Sequence, residues 1–407
     1  MARIVQKYGG TSVGSVELIS KVADRVARLF HAGNQVAVVL SAMGSETDEL
    51  VAMAHEAAAE PDPREYDVLL AAGEQKSIAL LAMALMDRGV PARSYLGPQV
   101  SIQTEARHGT ARILNVQCGQ LEADLKKGCV PVVAGFQGVD DRGNITTLGR
   151  GGSDTTAVAL AVALDAAECQ ILSDVDGVFT TDPRMVPNAQ LMRRVTFEEI
   201  LEMASLGSRV LQIRAVEFAG KHNLPLRVLP AHADGEGTLI TYEEPDMEAP
   251  LVSGIAFNRD EAEITLMNVP DRPGIAHRIL APIAEHDVEV DMIVLNAPKD
   301  GRVDFSFTVH RSNYDRACEL ASQATDGLDG VAVIGNSQVV KISVVGVGMR
   351  SHAGIATRMF EALAGEGINV RMVATSEIKI SVLVDERYLE LGVRTLHEAF
   401  RLDVTRQ

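Results

Sequence analysis

Four stretches hold the residues best suited to chemistry. The first is Thr147–Thr156, where Gly149, Gly151 and Gly152 surround Arg150, and Ser153 and Asp154 precede the helix-forming run Ala157–Leu164. Either Ser153 or Asp154 can cap that helix. Free backbone N–H groups, a helix N-terminus and one fixed cation together make an anion site. A plain Gly-rich turn before a core helix would not need the arginine. The second is Lys7-Tyr8-Gly9-Gly10, a cation beside two glycines that let a phosphate approach the backbone. Alone, Lys7 reads as an edge lysine. The third, Ser173–Arg184, carries Asp174, Asp176 and Asp182 with Phe179 and Arg184. Such a loop can organise Mg²⁺ and a nucleotide, or be a solvated acidic turn. The fourth is Glu74, in an apolar helical stretch, where a carboxylate either faces solvent or binds a substrate ammonium.

The elements around these stretches alternate. Apolar strands are expected at 2–8, Gln35–Leu40, Val130–Ala134, Cys169–Leu172 and Leu226–Leu229. Helices are expected near Val16–Phe30, Glu49–Ala59 and Asp67–Met86, with a loop at Pro61-Asp62-Pro63. This order indicates a mostly parallel sheet covered on both faces. In such sheets the carboxyl ends of the strands form the ligand crevice. Lys7–Ser12, Ser41–Thr47, Gly135–Gly138, Gly149–Ser153 and Ser173–Arg184 can therefore converge.

Composition narrows the partners. The chain has 407 residues, enough for two or three domains, and a net charge of −17. That charge disfavours a nucleic-acid backbone, so an anionic ligand must be held by local cations, glycine N–H groups and a metal. No stretch is read as long enough for a membrane helix, and the N-terminus lacks the apolar run of a signal peptide. Cys118, Cys129, Cys169 and Cys318 have no paired spacing, which argues against a zinc site or disulfide framework and fits a reducing cytoplasm. Neither GxxxxGK[ST] nor GxGxxG nor HExxH occurs. Gly10-Thr11-Ser12-Val13-Gly14 does match the GxSxG elbow of serine hydrolases, but with no obvious histidine partner.

After a polar, proline-containing stretch at 242–250, read as a linker, the chain repeats itself. Gly274-Ile275-Ala276 matches Gly354-Ile355-Ala356, and the same offset of 80 residues pairs Ala284 with Ala364, Val290 with Val370 and Met292 with Met372. Each copy reads as a βαββαβ module. The second copy lacks chain for its last strand, whereas Leu251–Phe257 is an extra strand before the first. The simplest repair gives that strand to the second module.

Taken together, Val5–Val13, Ser41–Met43, Val133–Gly138, Thr146–Thr156, Ser173–Arg184, Ser205–Arg209 and Arg214–Phe218 resemble the aspartate kinases of the amino-acid kinase superfamily. The repeat resembles their tandem ACT modules, and the whole chain resembles the monofunctional, ACT-regulated bacterial type. The resemblance implies an α/β fold. A three-layer αβα amino-acid kinase domain at 1–242 with a mostly parallel sheet is followed by a linker at 243–250 and two ferredoxin-like ACT domains, 264–338 and 251–263 with 339–407. It implies ATP and Mg²⁺, L-aspartate as acceptor, 4-phospho-L-aspartate as product, and a place at the start of lysine, threonine, methionine and diaminopimelate synthesis. The acceptor carboxylate is already ionised at neutral pH, so no general base is needed. Positioning and charge neutralisation remain.

By the family's pattern, Lys7 stabilises the transferring phosphoryl group and Asp174 orients that lysine and the metal-bound phosphates. Arg150, Gly152 and Ser153 hold aspartate with Ser41, Thr47 and Glu74. Lys7, Tyr8, Gly9, Gly10, Ser173, Asp174, Phe179, Arg184 and Arg209 surround the nucleotide, and no residue is assigned as a dedicated metal ligand. Lysine or threonine is expected to inhibit through Asp271, Pro273, Gly274, Ile275, Ala276, Asp291 and Leu295, with Ile355, Ala356, Asn369, Val370, Ser376 and Glu377. Open ACT sheet edges suggest a homodimer or larger homo-oligomer. Two positions depart from the family. Arg209 stands where a lysine is common, and Leu295 where a glutamine often hydrogen-bonds the effector. Another amino-acid kinase, with glutamate or a carbamate as acceptor, is the nearest alternative, and the ACT pair speaks against it. A serine hydrolase built on Ser12 and a non-catalytic amino-acid sensor built on 251–407 are the others.

Overall fold

The computed structural model describes residues 2–205, 211–242, 251–351 and 354–404. Arg209 and the expected linker at 243–250 lie outside the described residues. The chain forms two compact units. One comprises Met1–Phe179, Leu191–Ala204 and Arg209–Met247, and the other Thr180–Gln190, Ser205–Ser208 and Glu248–Gln407.

The first unit is built on eight strands in the order Arg194–Thr196, Thr238–Thr241, Leu226–Pro230, Glu168–Ser173, Arg3–Tyr8, Gln35–Leu40, Val130–Ala134 and Ala92–Tyr95. Every pairing is parallel except Leu226–Pro230 with Thr238–Thr241. Strands such as Gln35–Leu40 and Val130–Ala134 are almost wholly buried, as expected for parallel strands covered on both faces. Arg3–Tyr8 pairs with Gln35–Leu40 on one side and Glu168–Ser173 on the other. The chain fills one flank first and the other later, so Arg3–Tyr8 lies at the topological switch point, whose carboxyl end opens the ligand crevice.

Strand alternation then sorts the side chains. Tyr8, Val36, Val38, Leu40 and Val132 face helices Val16–His31 and Ala72–Asp87, where Ile19, Val22, Val26, Ile78, Leu81 and Leu85 complete a core cluster. Lys7 faces the other way, toward helix Gly152–Ala163. These are the three αβα layers.

Three local differences from the sequence reading have physical causes. The single helix expected over Asp67–Met86 is two, Pro63–Leu70 and Ala72–Asp87. Its start lies inside the expected loop because Asp62 accepts the N–H groups of Arg64 and Glu65 while Pro63 takes the first helical position. The combined run Pro63–Asp87 is long and apolar enough to cross a membrane by length and composition, contrary to expectation. It nevertheless buries Asp67, Glu74 and Ser77 within the protein. Finally, a second sheet was not foreseen, with strands Ile113–Val116, Ile102–Thr104, Gln137–Val139 and Ile145–Thr147 in that order. Its strands have three or four residues and are rich in Thr, Gln and Asn, so they carry too little apolar signal to read. The last two form a hairpin that delivers the glycine-rich loop.

The second unit holds one antiparallel six-stranded sheet, ordered Val290–Leu295, Arg302–His310, Gly254–Pro270, Ala332–Val345, Lys379–Asp385 and Met372–Thr375. Two of these strands are long. Glu261–Met267 pairs with Ala332–Val339, whereas Gly254–Asn258 pairs with Lys341–Val345. Helices Ile275–Glu285 and Tyr314–Ala324 pack together over the first half, and Ile355–Gly365 and Leu389–Ala399 over the second. Gly274 and Gly354 are the N-caps of equivalent helices, at φ +89° and +98°.

Candidate active site

The site is organised by Lys7. Its ammonium lies 2.6 Å from Asp154 Oδ1, with both side chains nearly buried. Asp154 stands in the first turn of helix Gly152–Ala163, where a negative charge also meets the positive end of the helix dipole. The N-cap of that helix is Gly151, at φ +68°, with no side-chain cap. Neither Ser153 nor Asp154 caps it, contrary to expectation. Released from capping, Asp154 grips the lysine. Asp174, expected to orient Lys7, instead accepts the Ser173 hydroxyl at 2.9 Å and is exposed. Asp154 is the partner of Lys7 that the sequence reading missed, and its only signal was its place in Gly151-Gly152-Ser153-Asp154.

Glycines around Lys7 are required by close approaches. A Cβ on Gly10 would lie 2.9 Å from the Ala42 carbonyl oxygen, and one on Gly135 would lie 2.6 Å from Ser153 Oγ. Gly9 leaves Lys7 Nζ 3.6 Å from where its own Cβ would be. Tyr8, expected near the nucleotide, turns its ring into the core and donates its hydroxyl to Gln6 Oε1 at 3.0 Å, so only its backbone is left for that role. Ser12 is buried in a 3-10 turn, and its hydroxyl has no hydrogen-bond partner. Among the described residues, no histidine engages it as a hydrolase would require.

The wall around Ala42 is acidic. Glu74 is buried, with Oε1 accepting the Ala42 N–H at 3.1 Å and Oε2 without a partner. Burial, with a smaller push from Glu46, raises its carboxyl from 4.5 to about 8. Glu46 is itself held by Lys76 at 2.7 Å. Ser41 closes this wall: its N–H binds the Tyr8 carbonyl at 3.1 Å, and its own carbonyl accepts the Ser77 hydroxyl at 2.8 Å. Thr47 lies half-buried in the first turn of helix Glu46–Ala57. Arg150 is exposed at the tip of the glycine-rich loop, whose backbone is held by Gln212 Nε2 donating to the Arg150 carbonyl at 2.8 Å. Gly152 and Ser153 are buried beneath it.

Phe179 is half-buried and bridges to Leu191. Arg184 falls in the second unit, where Asp182 binds it bidentately at 2.7 to 3.2 Å. The structure therefore does not gather Arg184 with Lys7 in one unit. In the second unit, Asp271, Pro273 and Gly274 are exposed, Ile275 is buried and Ala276 is half-buried beneath them. Ile355 is buried and Ala356 half-buried at the equivalent helix start, while Leu295, Asn369, Ser376 and Glu377 are exposed and Val370 half-buried. Asp291, expected to meet an effector ammonium, is already engaged by Lys341.

A fixed cation among glycines at a switch-point crevice, with a buried acid bonded to the neighbouring strand's loop at Ala42, suits phosphoryl transfer to a small zwitterion. Comparison with known proteins agrees. The amino acid kinase family matches residues 2–230, and ACT domains match 264–317 and 342–400. The aspartokinase of Pseudomonas aeruginosa is 60% identical over 405 residues, covering 99% of this chain and 98% of that protein. The aspartokinase of Mycolicibacterium smegmatis is 47% identical over 407 residues, covering 99% and 97%. Crystal structures of E. coli aspartokinase III superpose at 26% identity. One, with aspartate and ADP in the R-state, has a TM-score of 0.79 and covers 97% of this chain and 99% of that one. The other, with lysine and aspartate in the T-state, has a TM-score of 0.78 and covers 98% and 99%. The chain belongs to the amino acid kinase family and, within it, to the aspartokinases.

Glu74 gives a test of this geometry. Between its ordinary value and about 8, the folded protein keeps a proton that the unfolded chain has released. Stability therefore falls as pH rises through that window. Glu74→Gln lacks the titration, so its denaturation midpoint should gain on wild type between about pH 5 and about pH 8. Parallel pH profiles for the two proteins would mean that Glu74 is not buried as described.

Proposed function

We propose that the first unit transfers the γ-phosphoryl group of ATP to the side-chain carboxylate of L-aspartate, giving 4-phospho-L-aspartate and ADP. The observation that carries this reading is the Lys7–Asp154 pair at the carboxyl end of the switch-point strand. A carboxylate oxygen attacks phosphorus, the bond to the ADP oxygen breaks, and the electron pair leaves with ADP. The nucleophile carries no proton at neutral pH, so no base is needed. Lys7 neutralises charge on the transferring group, and Asp154 fixes where that charge stands. Glu74, protonated at neutral pH in the ligand-free protein, gives its proton to solvent as the substrate ammonium arrives at its unpartnered oxygen, because the adjacent positive charge favours the carboxylate. Arg150 takes the α-carboxylate as a two-pronged donor, with Ser153, Ser41 and Thr47 beside it.

Gly9, Gly10, Ser173, Asp174 and Phe179 border the nucleotide, and the family's pattern assigns Arg209 to it as well. Mg²⁺ prefers oxygen ligands and suits the nucleotide's phosphates, with the exposed Asp174 carboxylate at hand. The domain limits proposed are 1–242 for the kinase and 264–338 and 251–263 with 339–407 for the ACT domains. The strand register of Gly254–Asn258 on Lys341–Val345 supports the crossed second module.

The ACT pair is assigned a regulatory site for lysine or threonine. The effector's carboxylate would meet the N–H groups at Gly274–Ala276. Its ammonium would meet Asp271, since Asp291 is taken by Lys341. The exposed edge strands Val290–Leu295 and Met372–Thr375, with Ile293, Leu295 and Val373 uncovered, support a homodimer through this unit.

An ADP-release assay with L-aspartate, L-glutamate and no acceptor tests the reaction. Aspartate-dependent turnover is expected, and Lys7→Ala should lower kcat by about 10² to 10³ in protein that is folded at the assay temperature, with a lowered melting temperature because Asp154 loses its partner. Turnover with glutamate alone would give the site to a different acceptor. Arg150→Lys should raise the KM for aspartate more than that for ATP, because lysine cannot bind a carboxylate bidentately. A change in the ATP KM alone would assign the loop to the nucleotide. Lysine or threonine should raise the melting temperature of the wild type and inhibit it, and Asp271→Ala should lose both effects. Full inhibition of that variant would move the effector elsewhere.

A further inference from the structure

We propose that Asp67 is a positioning residue for the acidic amino-acid substrate: it sets the distance between the two groups that grip the substrate's ammonium and carboxylate. Asp67 stands on helix Pro63–Leu70 and is completely buried. Its carboxylate accepts the Gly109 N–H at 3.1 and 3.2 Å, the Thr147 N–H at 3.1 Å and the Thr147 hydroxyl at 2.6 Å. His108 Nδ1 lies 2.8 Å away. A carboxylate is costly to bury unless its oxygens are satisfied, and these are satisfied from two separate segments.

One of those segments leads into the glycine-rich loop, and the other packs against its base. Thr147 ends the hairpin strand that runs directly into Leu148-Gly149-Arg150. Its carbonyl accepts the Ala111 N–H at 2.9 Å. The Gly109 carbonyl lies against Gly149, where a Cβ would approach it to 3.1 Å. Arg214 ties the same two segments from the far side, donating to the Leu148 carbonyl at 2.9 Å and the Ala111 carbonyl at 3.1 Å. Asp67 is thus the pin under the base of the loop that presents Arg150.

The other end of its reach is Glu74. The helix of Asp67 passes through Ala71, whose carbonyl accepts Gln137 Nε2 at 3.2 Å, into helix Ala72–Asp87. One short helical path therefore carries both the pin of the Arg150 loop and the carboxylate assigned to the ammonium. Lys7 is held by Asp154 without using this path. Loosening Asp67 should spoil aspartate binding and spare ATP.

This inference rests on the assignment of the site to aspartate, and the test separates the two. Asp67→Asn turns an amide N–H₂ toward donors. It should raise the KM for aspartate at least about tenfold and leave the KM for ATP within about twofold. In the ligand-free protein, amide hydrogen exchange at Gly149–Gly152 should quicken. Thr147→Val, which deletes only the hydroxyl, should move aspartate KM and exchange the same way by less, and it stands in if Asp67→Asn fails to fold. A lowered melting temperature with unchanged aspartate KM and unchanged exchange at Gly149–Gly152 would make Asp67 merely structural. If the wild type does not turn over aspartate, the functional reading fails, while the exchange result still decides whether Asp67 pins the loop.

Discussion

The ion pair between Lys7 and Asp154 is the constraint on which the first unit depends. Both side chains are nearly dehydrated, and a buried pair of this kind adds little stability over an apolar one. Its value is positional. Removing either partner strands the other charge, so the central strand and the first turn of helix Gly152–Ala163 must stay in one register. The close glycine contacts follow from that requirement. Gly135 clears space for Ser153, Gly152 fits against Leu148 and Phe136, and Gly10 lies on the Ala42 carbonyl. A side chain at Gly135 or Gly152 would push the helix start off the strand end, and one at Gly10 would push the end of the Lys7 strand away from Ala42.

In the helix that begins at Gly151 with no side-chain cap, the N–H groups of Gly152 and Asp154 are held instead by the Gly149 and Gly151 carbonyls at 2.9 and 3.1 Å. In most helices a Ser or Asp at this place would satisfy them. Here Asp154 is occupied by the lysine, and Ser153 lies buried against the space that Gly135 leaves. The local stability given up by the missing cap is offset by burial of the whole helix, nearly every residue of which from Gly152 to Ala161 is inside the protein. The fold carries an uncapped terminus because packing, rather than capping, holds the helix.

Much of this was legible in the sequence. The alternation of apolar strands and helices indicated a mostly parallel sheet covered on both faces, and the 80-residue offset indicated the paired modules. Lys7, Gly9, Gly10 and the glycine-rich loop were visible because glycine beside a cation is uncommon without a ligand. Asp154 was not, because capping explained it well enough locally, and only the tertiary register reveals that it faces Lys7. The Tyr8 side chain was misjudged for the mirror reason. Alternation along the strand sends it to the face opposite Lys7, which a motif read as a string does not convey. The four-stranded sheet escaped because its strands are too short and polar to show a period.

The second unit shows how a repeat becomes one body. Glu261 and Lys341 occupy the same place in the two copies, as do Asp291 and Arg371. Lys341 pairs with Glu261 at 3.0 Å and also with Asp291, and Arg371 pairs with Glu263 at 2.6 Å. Glu261 and Lys341 come from the adjacent long strands and are both nearly buried. Two identical copies would set like charges against each other there, which is destabilising. Opposite signs at equivalent positions turn the approximate symmetry into complementarity, with Met292, Met372, Val339 and Leu383 packed together beside the charges. Because Gly254–Pro270 and Ala332–Val345 each run through both halves, neither half can shear against the other without breaking ladder hydrogen bonds and exposing a buried charge.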